Sequence, residues 1–518
     1  MPVINVYGST GIIKDVPPHM LPPEAWTEGN NMRMVDGFMK RFSGHAQVLG
    51  TPSVAPGFVF FVPAANDKFW LYANLTAVHA TDGTTHANIT RGAGPYTATN
   101  FRDWNGCILG GVPILNNGND VPQYWPTLSL AGDLANLTAW PATLRAKSIR
   151  NFGLHLVAMN LVDGGNVLSH ALRWSHKADP GTVPTSWDVT NPAVDAGQTH
   201  LTDIQGGELL DGYLLFNYLV LYKQRSTHLM RFIGPPDVFG FELLFNSGLL
   251  NARSCAIIDL GVKHFCVSED DVLVHAGTRN VDYPLNAKDR RYLFNDMDAS
   301  SRVNAFAFDN PFNEEAWFAY PSSGATIPNK ALVWNYRTGL PKFRDFPGIS
   351  ADVGSLPTSA GAAWDSVVGS WDNMVGPWNA EGERRIVVAD PTNTKLWGLD
   401  TGFTFGTSTV TAYVQRTGWA IVGKDRFGQP KADFNVRKLF KRIWPKLRGS
   451  AVVQVRLGSQ EEFDGPVTWA PYQTFDPVRK FLDFKVNGRF GAIEISTTSN
   501  ADLQVDGFDI EVVPLGAH

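Results

Sequence analysis

The chain has few cysteines, few charges and no long apolar run, and each shortage removes a class of protein. Cys107, Cys255 and Cys266 are an odd three with no paired spacing, which argues against a disulfide framework and for folding in a reducing compartment, with the thiols buried and free. Charged residues make up only 18% of the 518, and the formal net charge is −5. A chain so near neutrality has no global basic field of the kind that drives tight, salt-dependent binding to nucleic acid. No apolar run approaches the roughly 18 residues a membrane helix needs. Met1-Pro2-Val3-Ile4-Asn5 also lacks a basic stretch followed by an apolar one, so neither membrane insertion nor a conventional export signal is expected. If such a protein meets the outside of a cell, it must leave by another route, such as release of an assembled particle on lysis.

The motifs of common chemistries are missing as well. There is no G-x-x-x-x-G-K-[ST] loop and no strand-linked G-x-G-x-x-G to present amides to phosphates. H-E-x-x-H and clustered ligand spacings are absent, and His79, Asp82 and His86 flank Thr81-Asp82-Gly83, which reads as a hairpin turn rather than a metal site. No G-x-S-x-G occurs. The carboxylate pairs Asp270-Asp271, Glu314-Glu315 and Glu461-Glu462 are adjacent in sequence, so on a strand their side chains point to opposite faces and cannot flank one glycosidic bond. They read as solvated turn charges. The S-x-D-x-G-x-x-W box of sialidase-like propellers is not met, since Met374 stands at the glycine position after Ser370-Trp371-Asp372. No catalytic residue, metal or cofactor is expected.

What is present is a composition for many short strands: 12% aromatics, 49 Gly and 33 Pro. The length suggests about two to four domains. From about Gly44 to Thr407, strand-like runs such as Phe58 to Val62, Tyr213 to Leu221 and Ala316 to Tyr320 alternate with Gly, Pro, Asn and Asp clusters, with almost no sustained helical periodicity. Four-strand groups starting near Ala256 and Val303 lie a propeller blade apart, which predicts a β-propeller of roughly six to eight blades over residues 45–407. The Trp-Asp dipeptides at 187, 364 and 371 are unevenly spaced, and Gly110-Gly111, Gly164-Gly165 and Gly206-Gly207 read as turn glycines.

Residues 408–518 change character and read as a β-sandwich; in Phe481 to Val486, Leu482, Phe484 and Val486 share one face and Asp483 and Lys485 the other. Val436, Leu439, Phe440, Ile443 and Leu447 fall at helical spacing, but Pro445 would break that helix, so the segment is assigned as a strand. It holds the one basic cluster, Arg437, Lys438, Lys441, Arg442, Lys446 and Arg448, interleaved with Phe440 and Trp444. A solvated or inter-subunit salt-bridge face is the first expectation for it and a face turned toward a DNA channel the second.

Residues 1–44 contain Pro2, Pro17, Pro18, Pro22 and Pro23, which favour an extended backbone and remove amide donors. They predict an extended arm that docks on a partner, with Ile12, Leu21, Trp26, Asn30 and Asn31 as the docking residues. The order Gly11-Ile12, Leu21-Pro22, Trp26, Asn30-Asn31 and Asp36-Gly37 resembles the N-terminal signature of tail nozzle (tail tubular B-like) proteins of short-tailed bacteriophages. Arg442 to Gly449, Val453 to Gln460, Gly488 to Ile495 and Gly507 to Val512 extend the resemblance to the other end of the chain. It implies a structural virion protein without enzymatic activity. Such a subunit belongs to a six-membered ring that meets portal-adaptor (head-to-tail connector) proteins and tail fibres or spikes, and that passes double-stranded DNA. It would be assembled in the host cytoplasm and reside in the virion tail. The alternative is a virion-associated propeller that binds or cleaves host surface glycans, with the Trp364 to Trp378 loop stacking on sugars. A cytosolic scaffold propeller is a third reading.

Overall fold

The computed structural model describes residues 3–7, 10–14, 16–64, 68–204, 206–235, 237–356, 383–424, 430–462 and 465–517. The described chain is all-β, with a single α-helix, Ala287–Asp296, among the described residues.

Between His45 and Leu399 the strands form seven consecutive antiparallel sheets. The first is Phe58–Pro63, Lys68–Ala73, Val78–Thr81 and His86–Asn88. The second runs from Asn105–Leu109 to Ala135–Asn136, the third from Leu144–Phe152 to Gly197–His200, and the fourth from Leu209–Leu215 to Phe239–Phe245. The fifth has three strands, Cys255–Ile258, Lys263–Val267 and Val272–His275, and a bridge from Val274 to Asp282 stands where a fourth would pair. The sixth runs from Phe306–Asn310 to Pro341–Asp345. Ser350–Ser355, Arg384–Asp390 and Lys395–Leu399 form the seventh, which His45–Gln47 completes by pairing with Lys395–Leu399.

From the second sheet onward the first strand of each packs on the first strand of the next, and the seventh packs on the first. Phe58 stacks on Trp104, and Phe69 meets Trp125 edge-on, joining the first sheet to the second. The seven sheets therefore follow one another in a closed circuit. Stacking sheets face to face buries both sides of the inner strands, which is why Glu315–Tyr320 is buried at every position instead of alternating. Gly110-Gly111 and Gly164-Gly165 form two-residue hairpin turns, each with φ positive at both glycines.

The helix was not foreshadowed by periodicity, because Leu293 is its one buried side chain. Asn286 starts it by accepting hydrogen bonds from the Lys288 and Asp289 amides at 2.9 and 3.0 Å.

The sandwich corrects the expectation of a separate arm. One of its sheets has the order Leu482–Gly488, Val436–Gly449, Leu503–Ala517, Phe38–Arg41, Met32–Val35, with Val3–Tyr7 also pairing to Leu503–Ala517. The other has the order Thr468–Trp469, Gln454–Gln460, Phe490–Thr497, Ala412–Trp419, Glu28–Asn30. Residues 1–44 thus supply strands to both sheets, and Ile4, Val6, Trp26, Met32 and Met39 share one core with Trp419, Phe440 and Phe508. The prolines bend the segment as well as extend it, since Pro18 opens the short 3-10 turn Pro18–Met20 and Pro23 lies in a turn, and the surface the segment crosses is the chain's own.

Several histidines are held neutral by burial. His264 in the fifth sheet is inaccessible to solvent, its Nε2 bonding the Leu214 carbonyl at 2.9 Å and its Nδ1 the Tyr222 hydroxyl at 2.7 Å. Burial pushes its pKa down to about 3. Below pH 6.5 the unfolded chain gains a proton that the folded chain refuses. This residue's stability contribution is therefore present above pH 6.5 and is lost, at about 1.4 kcal/mol per pH unit, as pH falls toward its folded pKa. Unfolding free energies measured between pH 6 and pH 4 should fall less steeply in His264→Gln by about that amount. Equal slopes would show that His264 protonates in the folded protein.

Candidate functional site

The five residues expected to dock on a partner are engaged within the chain. Ile12 pairs with Trp26 in a short parallel ladder, and Trp26 is 1% exposed. Leu21 is buried, and its carbonyl accepts from Arg416 Nη2 at 3.3 Å. Asn30 Nδ2 donates to both carboxylate oxygens of Asp345, at 3.1 and 3.0 Å, and Asn31 Nδ2 donates to Asp345 Oδ2 at 2.8 Å. The Asp345 amide donates back to Asn31 Oδ1 at 3.1 Å. Asp345 ends the sixth sheet, so the segment clamps the sandwich to the ring of sheets. Lys342 Nζ adds a bond to the Met34 carbonyl at 2.5 Å, and Lys14 Nζ bonds Tyr292 of the helix at 3.0 Å and Glu28 at 2.9 Å. Phe42 sits in the ring's own core against Trp317. As a free docking arm this segment is corrected: its apolar and amide side chains are already satisfied.

The basic strand is likewise paired within the chain. Arg437 meets Glu461 at 2.6 Å, Arg442 meets Asp483 at 2.6 Å, Lys446 meets Asp509 at 2.8 Å and Arg448 meets Asp506 at 2.8 Å. Lys441 lies 3.8 Å from Glu511. Lys438 is buried, with its Nζ donating to the carbonyls of Asp433, Val436 and Arg489, and burial lowers its pKa to about 8. A phosphate would have to compete with a carboxylate at five of the six positions. Duplex binding by the purified protein should therefore show a log-log salt slope near zero rather than the roughly −5 of six free cations. A steep slope that Lys441→Glu with Arg442→Glu abolishes would contradict this.

Glu315, expected as a solvated turn charge, is instead buried on the sixth sheet, accepting from Trp317 Nε1 at 3.1 Å and lying 3.5 Å from Arg33. Burial raises its pKa, with Arg33 opposing. The His79 to His86 segment is a hairpin in which Asp82 Oδ1 caps the Thr84 and Thr85 amides at 2.9 and 2.7 Å.

Two concavities were not foreseen. The first strands of all seven sheets line an axial cavity of about 890 Å³. On its wall Arg150 pairs with Asp211 at 2.5 Å, Ser148 also donates to Asp211, and Lys147 pairs with Glu208 at 2.7 Å. Arg253 donates to the Ile349 carbonyl at 2.5 Å and lies over the Phe306 ring; burial lowers its pKa to about 10. Asp352 accepts from the amides of Phe61 and Val353 at 2.7 and 2.8 Å, and burial raises its carboxyl to about 6. Such a wall can bind a polar ligand, and its Asp352 carboxyl takes up a proton in mildly acid solution, above the usual carboxylate range. Nothing in the sequence foretold it, because its members are spread over all seven sheets, from Phe58 to Asp352.

The second is a groove of about 610 Å³ between the third and fourth sheets, bounded by Phe152, Leu154, Phe216, Phe232, Val238 and Phe239. Phe216 is 63% exposed and Phe232 62% exposed. Phe216 also has φ of 53°, a costly conformation for a bulky side chain. A phenylalanine where a hairpin ordinarily carries Asn or Gly was the sequence signal for this surface. The Trp364 to Trp378 loop, including Ser370-Trp371-Asp372, lies outside the described residues.

No family model matches the chain, and no curated protein matches it. Among solved structures, one similar chain is PorZ, an essential bacterial surface component of the type-IX secretion system of Porphyromonas gingivalis. The two share 11% identity over 72% of this chain and 43% of that one, with a TM-score of 0.35. The chain thus spans less than half of that structure's length, and a likeness this weak bears on neither activity nor partners.

Proposed function

We propose that the chain is a structural subunit of the tail nozzle of a short-tailed bacteriophage, in which a homo-oligomeric, six-membered ring joins the head-to-tail adaptor and carries fibres or spikes. The observation behind this reading is where the resembling segments lie. The stretches at the two ends that resemble the nozzle family are neighbouring strands of one sandwich, clamped to the ring of sheets through Asp345. Because residues 1–44 are consumed in that clamp, the adaptor contact belongs to the outer surface of the assembled sandwich. The neutralised basic strand suits a conduit, since a polyanion slides past carboxylate-paired cations without the counterion release that would hold it. Sedimentation of the chain with its adaptor tests the reading: co-migration in a large complex is expected, and separate migration of the two contradicts it.

A glycan-directed propeller remains the second reading, and Asp352 favours it, being a carboxyl with a raised pKa in an axial cavity that also holds Asp211 and Glu208. Release of reducing sugar from host polysaccharide, lost in Asp352→Asn, would establish that reading instead.

A further inference from the structure

We infer that Cys255 and Cys266 form a modification site, a cross-strand dithiol that a peroxide entering the axial cavity converts to a disulfide. The two residues are direct partners on the first two strands of the fifth sheet. The Val267 amide donates to the Ser254 carbonyl at 2.9 Å, which puts the adjacent Cys255–Cys266 pair at a non-hydrogen-bonded position, where facing side chains are closest. Their sulfurs are 3.6 Å apart. Cα atoms at such a position are separated by about 4.5 Å, inside the range a disulfide accepts, so the bond needs only side-chain rotation.

Access and proton order come from the surroundings. Cys255 borders the axial cavity and meets an incoming molecule first, whereas Cys266 is inaccessible to solvent. The Tyr222 hydroxyl lies 3.3 Å from the Cys266 sulfur, 2.7 Å from His264 Nδ1 and 2.6 Å from His275 Nε2. The Leu214 carbonyl takes the His264 Nε2 proton, and the Gly277 amide donates to His275 Nδ1 at 3.1 Å. Tyr222 therefore donates to His264 and accepts from His275 and Cys266. Burial opposes ionisation of both thiols, but hydrogen bonds involving Cys255 and His275 draw Cys266 below the usual thiol value, while Cys255 stays well above it. Because of the two only Cys255 borders the cavity, Cys255 takes the peroxide oxygen, and the enclosed Cys266, the readier of the two to ionise, is the resolving thiol.

In the first step the Cys255 sulfur attacks one peroxide oxygen. An S–O bond forms, the O–O bond breaks, and the departing hydroxide leaves as water with the thiol proton. In the second step the Cys266 sulfur attacks the sulfenic sulfur; S–S forms, S–O breaks, and a second water carries off the hydroxyl and the Cys266 proton. Two thiols lose two electrons, and one peroxide is reduced to two waters. Cys107 has no such partner; it is buried in the second sheet, and burial pushes its pKa up to about 12. It serves as an internal control.

The test treats the full chain with hydrogen peroxide, unfolds it in iodoacetamide and maps the peptides by mass. The expected result is one alkylated cysteine, Cys107, and a Cys255–Cys266 linked peptide lighter by two hydrogens, reversed by dithiothreitol. Alkylation at all three cysteines after peroxide, or Cys255 driven to the sulfinic acid with Cys266 still alkylated, overturns the proposal. In Cys266→Ser the reaction should stop at Cys255 sulfenic acid, trapped by dimedone. A folded variant that yields no adduct would equally count against it, and the wild-type map decides if the variant does not fold.

Discussion

Replacing Trp26 with alanine should lower unfolding stability by about 3–5 kcal/mol, the cost of emptying a large aromatic site in a packed core. Trp26 is 1% exposed, its ring is 5.9 Å from that of Phe508, and Phe508 lies 5.5 Å from Trp419. The removed volume therefore opens a cavity between the two sheets of the sandwich. Urea unfolding followed by tryptophan fluorescence measures the loss. Deleting residues 1–42 should go further and leave the sandwich unfolded, since it strips an edge strand from one sheet and three strands from the other. A truncated chain that keeps a cooperative sandwich transition would mean that the N-terminal strands decorate the core without completing it.

Arg41→Met is expected to cost on the order of 3 kcal/mol or more, because it leaves several buried carbonyls without a donor. The Arg41 guanidinium is buried where the ring of sheets hands over to the sandwich. Its Nη2 donates to the carbonyls of Phe403 and Val410, both at 2.9 Å, and its Nη1 to those of Ser499 and Ala501, the latter at 3.2 Å. One side chain thus fixes the connection between the two units and a turn of the sandwich. The unfolding midpoint and limited proteolysis near Phe403 to Val410 read the effect. Full stability in Arg41→Met would show that water replaces the guanidinium without penalty.

The parts of the fold that were legible are those set by local chemistry. Leu482–Gly488 alternates buried and exposed along its length because one face is wet, and the same alternation is visible in its residues. The paired glycines of the third sheet mark their hairpin because only they adopt two successive positive φ angles cheaply. Val436–Gly449 is a strand despite its helical spacing. Pro445 pairs only toward Phe508, and the ladder to Leu482–Gly488 ends at Ile443, so no hydrogen bond is lost on the other side. What was not legible depends on partners far along the chain. The N-terminal segment reads as extended, but nothing local says that its neighbours are Ala412–Trp419 and Leu503–Ala517. The same holds for Glu315, whose partner Arg33 lies on another unit, and for the carboxylates that neutralise the basic strand. The axial cavity is the extreme case, assembled from seven strands that share no motif.

Electron microscopy of the purified chain assembled with its adaptor tests the central claim most directly. The account predicts class averages with sixfold symmetry, an open channel on the axis and the sandwich at the adaptor face. A chain that stays monomeric beside its adaptor would contradict the nozzle reading.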